Sequence, residues 1–180
     1  MRKTFKIYLI SSSALFFLMV AGGCDSGPDN TKPVYDAYRF DQKVIGKLPV
    51  YDSLAVAVLK KLPLFHILNG NDSNQAFRYS PASTESEVFK RLPPEAGTDI
   101  DRYFTQLGTN FIKGFDVFHD STIKIYIRTI PSDSSKVNIE EHLSYYPPGT
   151  KMKQRAFPFK DTILSDRWQY WARFSRPELF

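Results

Sequence analysis

The sequence predicts an α+β domain in which N-terminal helices pack on a C-terminal antiparallel sheet of four to five strands. Two features carry this. Apolar residues recur at helical spacing before Gly114, and after it the period switches to two, with Ile123, Ile125 and Ile127 alternating with Lys124, Tyr126 and Arg128. Composition sets the bounds: 180 residues, 42% of them hydrophobic, can bury one core, and a single cysteine leaves hydrophobic burial rather than a disulfide to stabilise it.

The elements follow in chain order. Asp25 to Lys32 is polar and rich in turn formers, which reads as a tether, and folded sequence begins near Val34 with Tyr35, Tyr38 and Phe40. Leu54, Ala55, Val58 and Leu62 predict a helix over 52–62 with Asp52 or Ser53 as its N-cap, although Leu54, Val56 and Val58 also alternate as a strand would. Pro63 breaks or kinks that element, and Asn69-Gly70 ends the apolar segment after it. Thr84 and Glu87 have capping-box spacing for a helix over 84–92, stopped by Pro93-Pro94. Ile100, Tyr103, Phe104, Leu107 and Phe111 form the stripe of a third helix, capped by Thr98 or Asp99, with Gly114 as its C-terminal glycine.

The strands then run in sequence. Phe115 and Val117 start one, Asp120-Ser121 turns it, and the isoleucine strand ends at Pro131. Val137, Ile139, Glu141, Leu143 and Tyr145 share one face of the next, opposite Asn138, Glu140, His142 and Ser144. After Pro147-Pro148-Gly149, strands are expected near 152–157 and over 167–174, the last with Trp168, Tyr170, Ala172 and Phe174 on one side. This order of elements is similar to that of cystatin-like folds and of curved-sheet, nuclear-transport-factor-like cones, an analogy of element order that no motif supports.

The N-terminus has its own logic. Arg2, Lys3 and Lys6 precede an apolar run from Ile7 to Val20, then Ala21-Gly22-Gly23 and the only cysteine, Cys24. At about 14 residues the run fits a signal-peptide core and is short of the ~20 needed to span a bilayer. The arrangement resembles a bacterial lipoprotein signal peptide, with Ala21 where the familiar lipobox has Leu. The resemblance implies cleavage before Cys24, acylation of that residue, anchoring to a membrane through the acyl chains, and a place in the cell envelope at the outer membrane. The implied organisation is a signal peptide over 1–23, the lipidated cysteine and tether over 24–33, and one α+β domain over 34–180.

Removing the leader changes the charge. The chain carries 24 basic and 19 acidic residues, net +5; three of the basic ones and none of the acidic ones lie ahead of Cys24, which leaves 21 against 19 and a net +2. With no block rich in Lys and Arg, this gives no support to nucleic-acid binding.

The search for chemistry is largely negative. There is no Gly-rich phosphate loop, Cys-x-x-Cys, His-Glu-x-x-His or Gly-x-Ser-x-Gly, so no cofactor is implied. Asn69, Asn71 and Ser73 have calcium-loop spacing but lack the required Gly and the closing Glu, and so read as a surface turn. Three histidines occur: His66, His119 and His142. Asp116, His119 and Asp120 are the best metal-like cluster, and a polar turn would look the same. Glu141 points inward in the predicted register, either into an ion pair or as a pocket carboxylate. Trp171 points opposite to its aromatic neighbours, between Gln169 and Arg173, and is a candidate contact residue as well as a core one.

Asp52-Ser53-Leu54, Asp120-Ser121-Thr122 and Asp161-Thr162-Ile163 resemble the O-glycosylation signal of Bacteroidota. Ser121 and Thr162 are the better candidates, because Ser53 would be engaged if Asp52 caps a helix. The leading reading is a lipid-anchored envelope binding or assembly protein, with Glu141 and Trp171 as candidate ligand contacts and an envelope protein or glycan as partner. The alternatives are a small envelope enzyme with an Asp/Glu/His site, and a structural subunit of an envelope complex.

Overall fold

Four short helices precede the first strand in the computed structural model, which describes residues 31–68, 76–80, 94–132 and 136–176. Cys24 with its leader, the segment 84–92 and the turn from Asn69 to Ser73 lie outside the described residues. The helices are α1 (Thr31–Ala37), α2 (Gln42–Gly46), α3 (Leu48–Leu59), α4 (Leu62–Leu68) and α5 (Pro94–Leu107). The strands are β1 (Phe77–Tyr79), β2 (Gly114–Val117), β3 (Ile123–Ser132), β4 (Val137–Tyr145), β5 (Phe159–Ile163) and β6 (Trp168–Ser175). They form one six-stranded sheet in the order β1-β2-β3-β4-β6-β5, antiparallel at every pairing. The α+β class stands, with more strands than the four to five expected.

Several expected elements shift, each for a local reason. Thr31 is buried and opens α1, so folded chain starts before Val34. α3 begins at Leu48 with a proline in its first turn, where the missing N–H leaves no bond unmade. Asp52 is therefore inside the helix rather than at its cap, and its carboxylate accepts the Trp168 indole N–H at 2.6 Å. Pro63 falls at the second position of α4 and separates two helices. α5 starts four residues ahead of Thr98, and its closing glycine is Gly108, at φ +79°. Gly114 instead opens β2, where a Cβ would lie 2.6 Å from the Tyr79 carbonyl oxygen, so its lack of a side chain lets β1 and β2 meet.

The strand expected near 152–157 is absent. That stretch is irregular, and the strand comes later, at β5. β3 runs past Pro131 to Ser132, pairing Pro131 with Asn138, in a region where β2 has ended and β3 has a neighbour on one side only among the described residues.

The register sorts the side chains. Phe115, Ile123, Ile125, Leu143, Tyr145, Trp168 and Tyr170 project to an inner face and pack with Tyr51, Leu54, Ala55 and Val58 of α3, Phe65 of α4, and Ile100 and Leu107 of α5. Each of these fully buried apolar side chains contributes about 1.5–3 kcal/mol. A smaller cluster joins Tyr38 to Val137, Ile139, Ala172 and Phe174 at the other end of the same face.

A bulge at Ile127 alters the pattern. The register shifts between Tyr126 and Arg128, so Ile127 remains in the core and Arg128, expected on the outer side with Lys124 and Tyr126, lies opposite Glu141 on the inner one. Among the described residues no helix covers the outer face. Its middle is nonetheless buried at His142, Ser144, Gln169 and Trp171, because the connection from β4 to β5 folds back over it: Gln169 Nε2 donates to the Lys153 carbonyl at 2.7 Å, and Arg155 lies on Trp171.

Candidate functional site

Glu141 is inward as expected, and its carboxylate is fully engaged. Only 1% exposed, it accepts from Tyr38 Oη at 2.6 Å and from Arg128 Nε at 2.8 Å, while Arg128 Nη2 donates to Asp41 Oδ2 at 2.7 Å. The bulge at Ile127 makes this possible by turning Arg128 to the inner side. Burial alone would favour loss of the Arg128 proton, but Glu141 and Asp41 outweigh it and hold the guanidinium charged. Burial and the adjacent Glu141 carboxylate push the Tyr38 hydroxyl far above its ordinary range, so it is a donor at every physiological pH. The network ties the turn between α1 and α2 to the sheet, which is the structural ion-pair arrangement.

The metal-like trio is dispersed. Asp116, on the outer face of β2, accepts from Arg78 Nε at 2.8 Å and Nη2 at 3.2 Å and also from the Tyr126 hydroxyl. Asp120 is in the exposed hairpin turn, with Oδ1 accepting the Thr122 N–H at 2.9 Å, and His119 precedes it in that turn. Among the described residues no three His, Cys, Asp or Glu side chains are grouped so as to hold a metal ion.

Trp171 is not outward-facing in the sense the sequence suggested. It does lie on the outer face, but it is 4% exposed. The His142 ring stacks on one side of the indole at 4.0 Å and 21°, and the Arg155 guanidinium is 3.9 Å from its centroid, which requires the other side. Its N–H is donated to Ser144 Oγ at 2.9 Å. With both faces and its only donor engaged, Trp171 supports the site from beneath and offers no platform to a sugar.

Ser121 occupies the tip of the hairpin at φ 63°, and Thr162 lies on the inner side of the edge strand β5, opposite Tyr170. Ser53, on the exposed face of α3, donates its hydroxyl to the Pro49 carbonyl at 3.0 Å.

Two recesses open on the outer face, separated by the cross-strand row Tyr126, His142 and Trp171. The first, about 390 Å³, lies beside the end of β2 and is bordered by Arg78, Gly114, Tyr126, Glu140 and His142, and the paired Arg128 and Glu141 also contribute to its lining. Both His142 ring nitrogens are buried there without a hydrogen-bond partner among the described residues, and Glu140 Oε2 stands 3.8 Å from Nε2, beyond bonding reach. Burial first, then the positive charges of Lys124, Arg155 and Arg173, push the imidazole pKa down to about 3, so it is neutral.

The second recess, about 250 Å³, lies under the 147–158 connection and is lined by Lys124, Lys151, Lys153 and Arg155, with Asp120 and Trp171. Burial lowers the Lys124 pKa, Asp116 and Glu140 oppose that, Arg78 and Arg155 add to it, and the net shift is downward. These basic residues were not singled out from the sequence. Their signal is the spacing Lys151-x-Lys153-x-Arg155, which places three cations along an extended segment.

Comparison of the chain with protein-family models, with curated proteins and with solved structures returns no match.

Proposed function

We propose that this chain is a lipid-anchored cell-envelope protein that acts as a binding module, with the outer face of its sheet as the binding surface. The anchor rests on the signal-peptide resemblance ending at Cys24. One observation carries the binding role: a sheet face that no helix covers among the described residues holds two recesses whose polar groups converge from β1, β3, β4 and the 147–158 connection. A catalytic role fits less well. A general base works best with a pKa near the working pH, and His142, the only histidine bordering either recess among the described residues, is at about 3.

Two measurements test this reading. Mass spectrometry and membrane fractionation should show a chain starting at acylated Cys24, and Cys24→Ser should leave the membrane fraction; a variant retained there and cut at the same bond refutes the anchor. A ligand that binds only the folded state at one hundred times its Kd stabilises it by about 2.7 kcal/mol. Fractionated envelope extract should therefore raise the melting temperature of the wild-type chain and not that of Lys153→Glu. No shift with any fraction refutes the binding role.

A further inference from the structure

The four cations of the smaller recess, Lys124, Lys151, Lys153 and Arg155, face a single acidic residue among the described ones, Asp120. None of the four has a carboxylate oxygen within 4.0 Å among the described residues. Asp120 gives one oxygen to its own turn, at the Thr122 N–H. Hydrogen-bonding groups remain unused around the same space. Thr122 Oγ1 and Arg155 Nε are buried without a partner among the described residues, and Ser144 Oγ, which accepts the Trp171 indole proton, keeps its own proton to donate. Like charges gathered in a partly dry recess repel one another and focus a positive field on the space between them.

We infer that this recess binds a phosphoryl group. Up to two negative charges on terminal oxygens answer four cations better than one carboxylate does, and the Arg155 fork with hydroxyl donors beside it suits those oxygens. A volume of about 250 Å³ is below the ~300–1,000 Å³ of sites that enclose a drug-sized ligand. The recess accordingly takes the phosphoryl group and leaves the rest of the molecule at its mouth. A phospholipid headgroup and a soluble phosphate ester share this chemistry. The inference rests on the outer face being the binding surface, and it does not require the lipid anchor.

The test is calorimetric titration of the full chain with inorganic phosphate. Saturable binding is expected, weakened at least tenfold in Lys151→Gln/Lys153→Gln, whose side chains are exposed and support no core contact. Lys43→Gln/Lys60→Gln removes the same charge from exposed positions in α2 and at the C-terminal cap of α3 and should leave binding unchanged. Glucuronate should bind at least tenfold more weakly than phosphate.

Vesicles of phosphatidylcholine, with and without phosphatidylglycerol, separate the sources; any contribution from leader or acyl chains is common to wild type and variant and cancels. A preference for phosphatidylglycerol that Lys151→Gln/Lys153→Gln abolishes assigns a lipid headgroup, and phosphate binding without that preference assigns a soluble ester. Equal loss in both lysine pairs, glucuronate binding as tight as phosphate, or absence of both phosphate binding and vesicle preference overturns the inference. Phosphate binding by a chain that fails the fractionation test would refute the anchor and leave this site standing.

Discussion

Acid should destabilise this protein through His142. The imidazole is buried between Tyr126 and Trp171 with neither nitrogen paired, and its pKa falls from 6.5 to about 3 on folding. Between those values the unfolded chain binds a proton that the folded chain refuses, so stability rises with pH across the window. The contribution is complete above about pH 6.5 and is lost as pH falls toward 3. The limiting slope is about 1.4 kcal/mol per pH unit and is only half reached at pH 6.5, where the unfolded imidazole is half protonated, so acidification from 6.5 to 4.5 should remove about 2 kcal/mol through this side chain alone.

His142→Phe keeps a ring against Trp171, removes two unsatisfied nitrogens and cannot titrate. It should match or exceed the wild type at pH 7 and lose about 2 kcal/mol less between pH 6.5 and 4.5. Urea unfolding at pH 7.5, 6.5, 5.5 and 4.5 gives the stabilities, and carboxylates that titrate in both chains cancel in the difference. Parallel curves for the two chains would show that His142 is charged or hydrated in the folded state, and the account of a dry outer face beneath the 147–158 connection would fail.

Other predictions concern the inner face. Glu141→Gln should cost about 3 kcal/mol in chemical denaturation, at the low end for breaking a buried pair because Asp41 still holds Arg128. A cost under 1 kcal/mol, or no coupling with Arg128→Met in a double-mutant cycle, would refute the ion-pair role. Ile125→Ala, at a position with no exposed surface, should cost about 2–5 kcal/mol. Ile163→Ala, 66% exposed on the edge strand, should stay within about 0.5 kcal/mol. Similar values from the two, read from the same urea midpoints, would contradict the assignment of faces.

What the sequence determined by itself was periodic. Alternation over 123–127 and 137–145 requires only that one face be buried, so the isoleucines, Leu143 and the inward carboxylate of Glu141 could be read directly. The class followed, since helical stripes ahead of such strands must cover their apolar face. Tertiary structure decided whatever depends on a single break in a period or on contact between distant segments.

One extra residue at Ile127 reverses the side of everything after it, which is how Arg128 reached Glu141 against the alternation. Tyr38, the other partner of Glu141, stands 103 residues away in sequence. Asp52 has the chemistry of a helix cap, and only the docking of α3 on β6 assigned it to the Trp168 indole. Trp171 alternates as an outward residue should, yet an aperiodic connection lies across it and carries Lys151, Lys153 and Arg155 to the recess. The path of such a connection is set by the surface it covers, so local sequence could place neither the buried tryptophan nor the cations above it.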